Sequence, residues 1–552
     1  MRTGDNRRRL GLVLAVVATA TLAAGCGGSS HRSADRPTPT LLVLEATGPD
    51  SLDPAVGNTP QALQADWLAY TPLLTYEHSA GVPGTRITPG LAVDYPTITA
   101  SGRIYTLTLR GGLTFSNGRP VRARDFTRAI ERAIKLWPSA GRLITSRIVG
   151  AKAFATGHSR TISGITTDDA TGQITIRLTA PYGTFENVLA SPATAPVPAG
   201  TPFRDEQHAP PPGVGPYTIA HVVAGKSFSL LKNPAWAREA IPYLGAGYSN
   251  IDIRITGNAQ ANALAVLNNQ ADAFGWPDQI PSDLLPRIKQ LAADRYAPRV
   301  VDSTDVIFMN AARKPFSSQL ARQAVRAALD QNTLDQLDAG TLFEGCYLLP
   351  PTLYGHPHDA CPEGNPAGGG NLALAKNLVQ QSDMGGARVT VWSQTGSPSR
   401  PWMAYYTALL NQIGFRANLK LVPDQAYYRT IGELRQHPQT GFAALDGDFP
   451  TPVVFYEPLT GQAIEPTGNR NLSQVDDPSV NSAVQALGAV PASNLSAIYR
   501  FWNQLELYVA NKAYVAVLGY PTFPEFVSER VKRGVLIFSP VVGYDWSSLR
   551  LK

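Results

Sequence analysis

Short runs in which apolar and polar residues alternate are separated along the chain by stretches in which apolar residues recur at helical spacing. In one alternating run, Tyr105, Leu107 and Leu109 share a face, which predicts a strand. Apolar residues then recur at helical spacing over 126–137, which predicts a helix that stops at Pro138. The pattern therefore indicates a fold that mixes strands and helices.

The same alternation continues in the second half of the chain. The sequence predicts a strand over 389–392, a helix over 402–413 that ends at Gly414, and a strand over 419–422. A strand, a helix and a strand in this order form the unit from which sheets with helices on their faces are built. We therefore expect the α/β fold class.

Another helix is expected to open at Pro315, with Ser317 as its N-cap. Its predicted buried stripe consists of Leu320, Ala324, Ala327, Ala328 and Leu334. The sequence therefore predicts one continuous helix through this stripe.

Length and composition indicate a large globular body. The chain has 552 residues, of which 43% are apolar and 16% are charged, so several domains with sizeable cores are expected. Past the N-terminal segment, no apolar run reaches the ~20 residues that a membrane-spanning helix requires. The formal net charge is +6, and about +3 remains once the arginine-rich residues 1–25 are set aside, which is too weak to indicate a nucleic-acid partner.

The first residues have the pattern of an export signal. Arg7–Arg9 are followed by an apolar run over 10–22, which is typical of a signal peptide. The small residues before Cys26 resemble a lipobox, at which bacterial lipoproteins are diacylated on the cysteine and cleaved in front of it. An ordinary secretory signal with an incidental cysteine is the alternative. We expect a signal peptide over 1–25, a flexible tether over 26–39, and a lipid anchor at Cys26 that holds the body on the outer face of the cell membrane.

Two further cysteines, Cys346 and Cys361, lie close together in sequence. In an exported protein such a pair is expected to form a disulfide bond. Free thiols are one alternative. A metal site is the other, because His356, His358 and Asp359 lie beside Cys361, although their spacing fits no standard zinc pattern. We predict the disulfide and no metal site.

Familiar catalytic motifs are missing from the sequence. It contains no nucleophile-elbow, phosphate-loop, dinucleotide-binding or zinc-protease motif. Acidic pairs such as Asp168–Asp169 lie in polar segments that are predicted to be turns. We therefore expect neither an enzyme nor a cofactor.

Several short segments stand in the order found in one family of binding proteins. They are Ser51–Pro54, Pro89–Ala92, Leu113–Val121, Gly215–Tyr217, Lys232–Trp236, Leu267–Asp272 and the stretch from Asn310 to Asp330. On these segments the chain resembles, over residues 40–552, the family 5 extracytoplasmic solute-binding proteins of ABC transporters, the type that binds oligopeptides, dipeptides or nickel.

The resemblance implies a two-lobed body of three domains, with the type II fold of periplasmic binding proteins, mixed sheets and a hinge. Domain I would be assembled from 40–65, 206–302 and 521–552. Domain II would span 66–205, and domain III would span 303–520. Such a body closes over its ligand between the lobes, and we expect it to be a monomer.

The resemblance also implies where a peptide ligand would be held. The segment 447–452 is similar to the family motif A-D-Y-x-[DE]-P. This places Asp448 on the acid that binds the α-amine of a peptide, with Gly447 and Phe449 beside it. A turn aspartate that caps backbone amides is the alternative.

Two other pairs of residues fall at positions that line the ligand in the family. Asn58 and Thr59 follow the first family segment, and Gly275 and Trp276 follow Asp272. The alternative for Trp276 is that it is an ordinary core residue.

Two departures put a standard peptide pocket in doubt. Gln425 occupies a position that is often tryptophan in peptide binders, and Phe442 one that can be arginine. Nickel is still ranked below peptide, because His356 and His358 are the only histidines close together in sequence.

The expected function is that of a membrane-anchored receptor that captures peptides, or a related small solute, and delivers them to the permease and ATPase of an ABC importer. The alternative is a non-transport lipoprotein of the same fold that regulates or scaffolds cell-envelope synthesis.

Overall fold

Strands and helices alternate along the chain, in agreement with the sequence pattern. A computed structural model describes residues 39–136, 140–236, 250–362, 369–396, 398–447, 449–532 and 536–552. The strands are β1 (Thr40–Glu45), β2 (Leu74–Tyr76), β3 (Ile87–Pro89), β4 (Thr97–Thr99), β5 (Ile104–Thr108), β6 (Ile165–Asp168), β7 (Gln173–Arg177), β8 (Tyr217–Val223), β9 (Ser227–Lys232), β10 (Asn250–Ile255), β11 (Ala273–Phe274), β12 (Tyr296–Val300), β13 (Ser303–Met309), β14 (Leu342–Phe343), β15 (Arg388–Gln394), β16 (Arg416–Val422), β17 (Thr440–Asp446), β18 (Val515–Phe526), β19 (Ile537–Ser539) and β20 (Gly543–Asp545). The helices are α1 (Pro60–Ala69), α2 (Ala123–Leu136), α3 (Ala140–Arg147), α4 (Ala151–Ala155), α5 (Phe185–Leu189), α6 (Ala259–Leu267), α7 (Leu285–Leu291), α8 (Gln319–Ala328), α9 (Gln331–Leu337), α10 (Leu372–Gln381), α11 (Ser399–Ile413), α12 (Asp424–Ile431), α13 (Val453–Tyr456), α14 (Pro478–Gly488) and α15 (Leu495–Lys512).

The first sheet has the strand order β11-β1-β10-β9-β8. β1 is parallel to both of its neighbours, β10 and β11, whereas β8, β9 and β10 pair in antiparallel fashion. β1 reads TLLVLE and its last three residues are buried, as expected for a strand with parallel neighbours on both sides. The carboxyl ends of β1 and β11 therefore lie side by side at one end of this sheet.

The second sheet is antiparallel and has the order β4-β5-β7-β6. Tyr105 and Leu107 of β5 are buried, and the residues between and around them are more exposed, which confirms the predicted alternation. Helix α2 packs beside this sheet and buries Phe126 and Ile130. The predicted helix is thus confirmed as far as Leu136, and its predicted end lies outside the described residues.

The third sheet has the order β12-β18-β13-β17-β15-β16, and β14 pairs with β18. β15 and β16 are parallel and α11 lies between them in sequence, which confirms the predicted strand–helix–strand unit. α11 ends at Gly414, whose φ of +115° lies in the left-handed region that glycine adopts without strain. The helix buries Trp402, Tyr406 and Leu410.

The helix predicted to continue through Leu334 is instead two helices. α8 ends at Ala328, and Leu329 adopts an extended conformation with ψ of 133°. The side chain of Asp330 then accepts a hydrogen bond from the backbone N–H of Asn332 and caps α9. The prediction of one continuous helix was wrong because the capping preference of an aspartate outweighs the apolar spacing at this point.

The predicted start of α8 was also wrong, by one residue. Ser318 occupies the N-cap position, and its side chain makes no capping hydrogen bond. The backbone N–H of Ser317 donates to the carbonyl oxygen of Arg313, which places Ser317 in the turn that precedes the helix.

Paired strands connect the first sheet with the third. β18 pairs with β13 along 515–519 and with β12 along 522–526. Val527, directly after β18, forms a bridge with Ala273 in the first sheet. The end of β18 therefore lies against the first sheet. The limits of the three domains stay a prediction.

Cys346 and Cys361 are joined by a disulfide bond, and their Cα atoms lie 5.9 Å apart. Within the described ranges, no group of three or more histidine, cysteine, aspartate or glutamate side chains is arranged to hold a metal ion. A separate search of the same ranges finds no helix whose length and apolar character would let it span a membrane.

Candidate ligand-binding site

The loop that contains Asn58 and Thr59 is held by one carboxylate. Asp50 accepts hydrogen bonds from the backbone N–H groups of Asn58 and Thr59, at 3.1 Å each, and from the Thr59 hydroxyl at 2.9 Å. α1 begins directly afterwards, with Pro60 in its first turn. The side chain of Asn58 is exposed and is therefore available to a ligand.

A buried ion pair fixes the chain just before this loop. Arg132 of α2 donates through Nη1 and Nη2 to the two carboxylate oxygens of Asp53, at 2.9 and 2.6 Å. Both side chains are fully buried, and Asp53 also accepts from the backbone N–H groups of Ala55 and Glu206. This pair joins α2 to the segment that carries the predicted ligand loop.

Gly275 and Trp276 lie just after β11, at the carboxyl end of the first sheet. A Cβ atom at Gly275 would come within 2.5 Å of Cγ of Glu45, so only glycine permits this close approach. The half-buried Trp276 ring packs edge-on against Phe523 and Phe538, with centroids 5.9 and 6.3 Å apart. Trp276 thus has core contacts, and its role toward a ligand stays a prediction.

Gly447 and Phe449 lie just after β17, at the carboxyl end of that strand. The backbone N–H of Gly447 donates to the carbonyl oxygen of Asp302 at 3.5 Å, and that of Thr451 donates to Phe449 at 2.8 Å. Asp448 lies outside the described residues, so its predicted contact with an α-amine is not tested.

Three acidic residues lie on β13 and β17 or next to them. Burial, and next the charge of Asp446, raise the pKa of Asp302 well above its usual range. The same two causes, in the same order, raise the pKa of Asp305. The exposed Asp446 accepts a hydrogen bond from the Ser303 hydroxyl at 2.5 Å. A positively charged group bound nearby would favour ionisation of Asp302 and Asp305.

An aromatic stack stands near the same carboxylates. The ring centroid of Trp67 lies 4.6 Å from that of His78 and 6.2 Å from that of Tyr76. His78 is fixed by Asp545, whose Oδ2 lies 2.7 Å from Nδ1. Burial, and next the charge of Asp302, raise the pKa of Tyr76 well above its usual value, which places Tyr76 close to Asp302.

Several buried polar atoms near these elements have no hydrogen-bond partner within the part of the chain that the structure describes. They are Glu45 Oε2, Gln64 Oε1, Trp67 Nε1, His78 Nε2, Asn187 Nδ2, Trp276 Nε1, Asp302 Oδ1 and the Tyr544 hydroxyl. Each such group costs about 1–3 kcal/mol, and native proteins contain few of them. Atoms of this kind are typical of places that a ligand or water completes.

The segments 183–186 and 488–493 also contact each other directly. Gly183 exchanges backbone hydrogen bonds with Gly488 and Ala492. The buried Glu186 accepts from the backbone N–H of Ser493 at 2.6 Å and from its hydroxyl at 3.1 Å. These segments belong to the predicted domains II and III, so the two domains touch at this place if their predicted limits hold.

Sequence reasoning missed Glu45, His78 and Asp545. His78 and Asp545 are 467 residues apart, and no local pattern connects two such positions. Glu45 did carry a signal, because it is an acidic residue at the carboxyl end of an otherwise apolar strand. Ligands bind outside the carboxyl ends of strands in open α/β sheets.

Comparison with known protein families identifies the family of this chain. Residues 86–466 match the model of the bacterial extracellular solute-binding proteins, family 5. The chain belongs to this family. Since the match covers well over half of the chain, the resemblance stated from short segments is confirmed.

Curated relatives of this family 5 protein are periplasmic binding proteins. It is 26% identical over 336 residues to the probable deoxycholate-binding periplasmic protein YgiS of Escherichia coli (strain K12), which covers 58% of this chain and 60% of YgiS. It is 27% identical over 349 residues to the probable peptide ABC transporter periplasmic-binding protein y4tO of Sinorhizobium fredii, which covers 57% of this chain and 59% of y4tO. The glutathione-binding protein GsiB of Salmonella typhimurium is 24% identical, with 60% of both chains covered. The chain thus spans about three fifths of the length of these relatives.

The similarity to solved structures covers almost the whole chain. Clavulanic acid biosynthesis oligopeptide binding protein 2 superposes with a TM-score of 0.79 at 22% identity, over 93% of this chain and 95% of its own. The unliganded open form of the murein tripeptide binding protein MppA gives a TM-score of 0.77 at 19% identity, over 94% and 98%. The family 5 protein therefore has the two-lobed, mixed α/β fold of periplasmic binding proteins, as predicted.

Proposed function

We propose that this family 5 protein is a membrane-anchored extracytoplasmic receptor that captures peptides, or a related small solute, between two lobes. It delivers them to an ABC import permease and its ATPase, and it does not transform them. The observation that carries the proposal is that buried polar atoms without a hydrogen-bond partner among the described residues occur at Trp276 and at Asp302, whose carbonyl oxygen accepts from Gly447.

Closure over the ligand would take place at the strands that pass between the sheets. β12 runs directly into β13, and β18 pairs with both of them. Rotation about a few residues at such connections is the usual way in which two-lobed binding proteins close. We place the hinge at 300–303 and 519–522.

A free α-amine is the ligand group that the turn at 447–449 favours. Asp302 and Asp305 are buried beside the exposed Asp446, and a bound ammonium group would favour ionisation of Asp302 and Asp305. Asp448 falls on the family position that binds the amine in peptide binders. A buried ammonium group requires such a partner, because an unpaired buried charge is costly.

The names of the relatives support a peptide or a peptide-like solute. y4tO is named as a peptide-binding protein and GsiB as a glutathione-binding protein, and glutathione shares amide groups with peptides. YgiS is named for deoxycholate, so an amphipathic acid belongs in the same ligand panel.

Anchoring depends on Cys26, which lies outside the described residues together with the signal peptide and most of the tether. The lipobox-like residues support the anchor. Expression of the full chain with Cys26→Ala should move the protein from the membrane fraction to the soluble extracytoplasmic fraction. Unchanged membrane association would contradict the anchor.

The departures at Phe442 and Gln425 favour the second candidate, a non-transport lipoprotein of the same fold. Phe442 lies in the interior, with its ring centroid 5.9 Å from that of Trp402, and presents no charge to a ligand. Gln425 is exposed on α12 and offers no aromatic surface. A protein that binds no small solute but retains an envelope partner would fit this candidate.

Thermal unfolding with a defined ligand panel tests the proposal. The panel contains tri-Ala, N-acetylated tri-Ala, glutathione, deoxycholate and a nickel chelate. We expect tri-Ala to raise the melting temperature and its acetylated form to have a much smaller effect, since only a bound ligand stabilises the folded state. If no member of the panel changes the melting temperature at millimolar concentration, the receptor proposal is wrong.

A further inference from the structure

Two acidic residues meet at the carboxyl end of the first sheet. Glu45 is the last residue of β1, and Asp278 follows β11 by four residues. Since β1 and β11 are parallel neighbours, with Leu44 opposite Phe274, both side chains come to the end of the sheet at which ligands bind in folds of this type.

The carboxylate of Glu45 is buried without compensation. Its side chain is 2% exposed, and Oε2 has no hydrogen-bond partner among the described residues. No lysine or arginine within the described ranges forms an ion pair with it. Burial, and next the charge of Asp278, raise the pKa of Glu45 well above its usual range.

Asp278 is held in place by the backbone beside Glu45. It is 8% exposed and accepts a hydrogen bond from the N–H of Ala46 at 2.5 Å. Thr47 also donates to it. The protein therefore fixes a second carboxylate next to the first. The buried Asp53, in contrast, is paired with Arg132.

Trp276 stands between Gly275, which packs against Glu45, and Asp278 in the sequence. Its ring rests on Gly543, where a Cβ atom would come within 2.4 Å of the ring. Its Nε1 is buried and finds no acceptor in the described part of the chain. An aromatic ring suits an ammonium or guanidinium group, and the indole N–H suits a carbonyl oxygen.

We propose that Glu45, Asp278 and Trp276 form a second cation subsite, which binds an ammonium or guanidinium group in a ligand side chain. The subsite is separate from the α-amine position predicted at Asp448, and it rests on the proposed peptide-binding function. A cation bound there favours ionisation of Glu45 and supplies its missing partner. The protein accordingly selects basic ligands.

Matched tripeptides test the subsite. Lysine is placed at each of the three positions of a tri-Ala peptide, and norleucine replaces it in a second series of similar length without the charge. We expect at least one lysine peptide to bind about tenfold more tightly than its norleucine counterpart, as measured by isothermal titration calorimetry. Glu45→Gln should bring this ratio close to one while the norleucine peptides keep their affinity.

Two further variants separate a binding role from a structural one. Glu529→Gln removes a carboxylate with an exposed side chain and should leave the lysine-to-norleucine ratio unchanged. If Glu45→Gln does not fold, the lysine-to-norleucine affinity ratio is measured in Asp278→Asn instead, where it should also fall. Asparagine can still accept the hydrogen bond from the backbone N–H of Ala46.

The outcomes distinguish the subsite from the general function. Equal binding of lysine and norleucine peptides at every position, or a ratio that survives Glu45→Gln, would overturn the subsite and leave peptide binding intact. If no peptide in either series binds, both the subsite and the peptide-binding function are wrong.

Discussion

Two buried aspartates that lie close together in this protein differ in their hydrogen-bond and ion-pair partners. Asp53 is paired with Arg132 and accepts two backbone hydrogen bonds. Asp66 of α1 is fully buried, and neither of its carboxylate oxygens has a partner among the described residues. The ionised form of Asp53 is therefore stabilised by its surroundings, whereas a charge on Asp66 destabilises the folded state.

Arg132→Met leaves the Asp53 charge buried and unpaired. Removal of one partner of a buried ion pair typically lowers the free energy of unfolding by about 3–5 kcal/mol, and we expect a loss of this size in urea-induced unfolding. Arg124→Met is the matched control, because Arg124 forms an exposed pair with Asp169 and should cost at most ~1 kcal/mol. Equal losses in the two variants would show that the buried pair has no special role.

Asp66→Asn is expected to stabilise the protein at neutral pH. Burial, and next the charges of Asp53 and Asp50, raise the pKa of Asp66 well above its usual range. The folded state therefore keeps a proton that the unfolded state loses above about pH 4, so stability falls as the pH rises past that value. The variant should have a higher melting temperature than the wild type at pH 7, and the gain should vanish near pH 4. A gain that is independent of pH, or one equal to that of the exposed Asp283→Asn, would contradict this account.

At the scale of secondary-structure elements, periodicity gave correct predictions where one face of an element is buried. β5 and the β15–α11–β16 unit follow their apolar spacing. The break between α8 and α9 could not be read from that spacing, because it depends on the capping side chain of Asp330. The site was less predictable still, since contacts such as that of His78 with Asp545 join residues 467 positions apart in the sequence.

The disulfide closes a loop that is also held by one buried acid. Glu506 accepts from the backbone N–H groups of Leu348 and Leu349, at 2.8 and 3.0 Å. Closure of a loop of this length contributes about 3 kcal/mol. We expect dithiothreitol to lower the free energy of unfolding by about that amount. A variant with serine at Cys346 and Cys361 should not respond to it, and a wild-type protein indifferent to reduction would contradict the prediction.

Gly183→Ala tests the contact between the segments 183–186 and 488–493. A Cβ atom at Gly183 would lie 2.1 Å from the carbonyl oxygen of Val490, so the two segments must separate. We expect a lower melting temperature and faster amide exchange in both segments. Gly200→Ala is the control, because a Cβ atom at Gly200 would meet no other atom of the described residues within 4 Å, and it should leave both measurements unchanged. The contact has no stabilising role if the two variants behave alike.

At the scale of the whole molecule, the sheets explain how a ligand could be enclosed. The first and third sheets are connected by paired strands, with β11 at one end of that connection and β17 at the other. The predicted ligand loops 275–276 and 447–449 follow those two strands directly. The fold could be predicted because segments typical of the family occur along the sequence. The identity of the ligand could not, because it depends on individual side chains.

Hydrogen–deuterium exchange of the full chain, with and without saturating tri-Ala, tests the central claim most directly. A ligand held between the lobes should slow amide exchange in peptides that cover 58–59, 275–276 and 447–449 together, because these loops belong to both sides of the proposed cleft. Protection confined to one of these loops, or found only elsewhere on the protein, would contradict capture between two lobes.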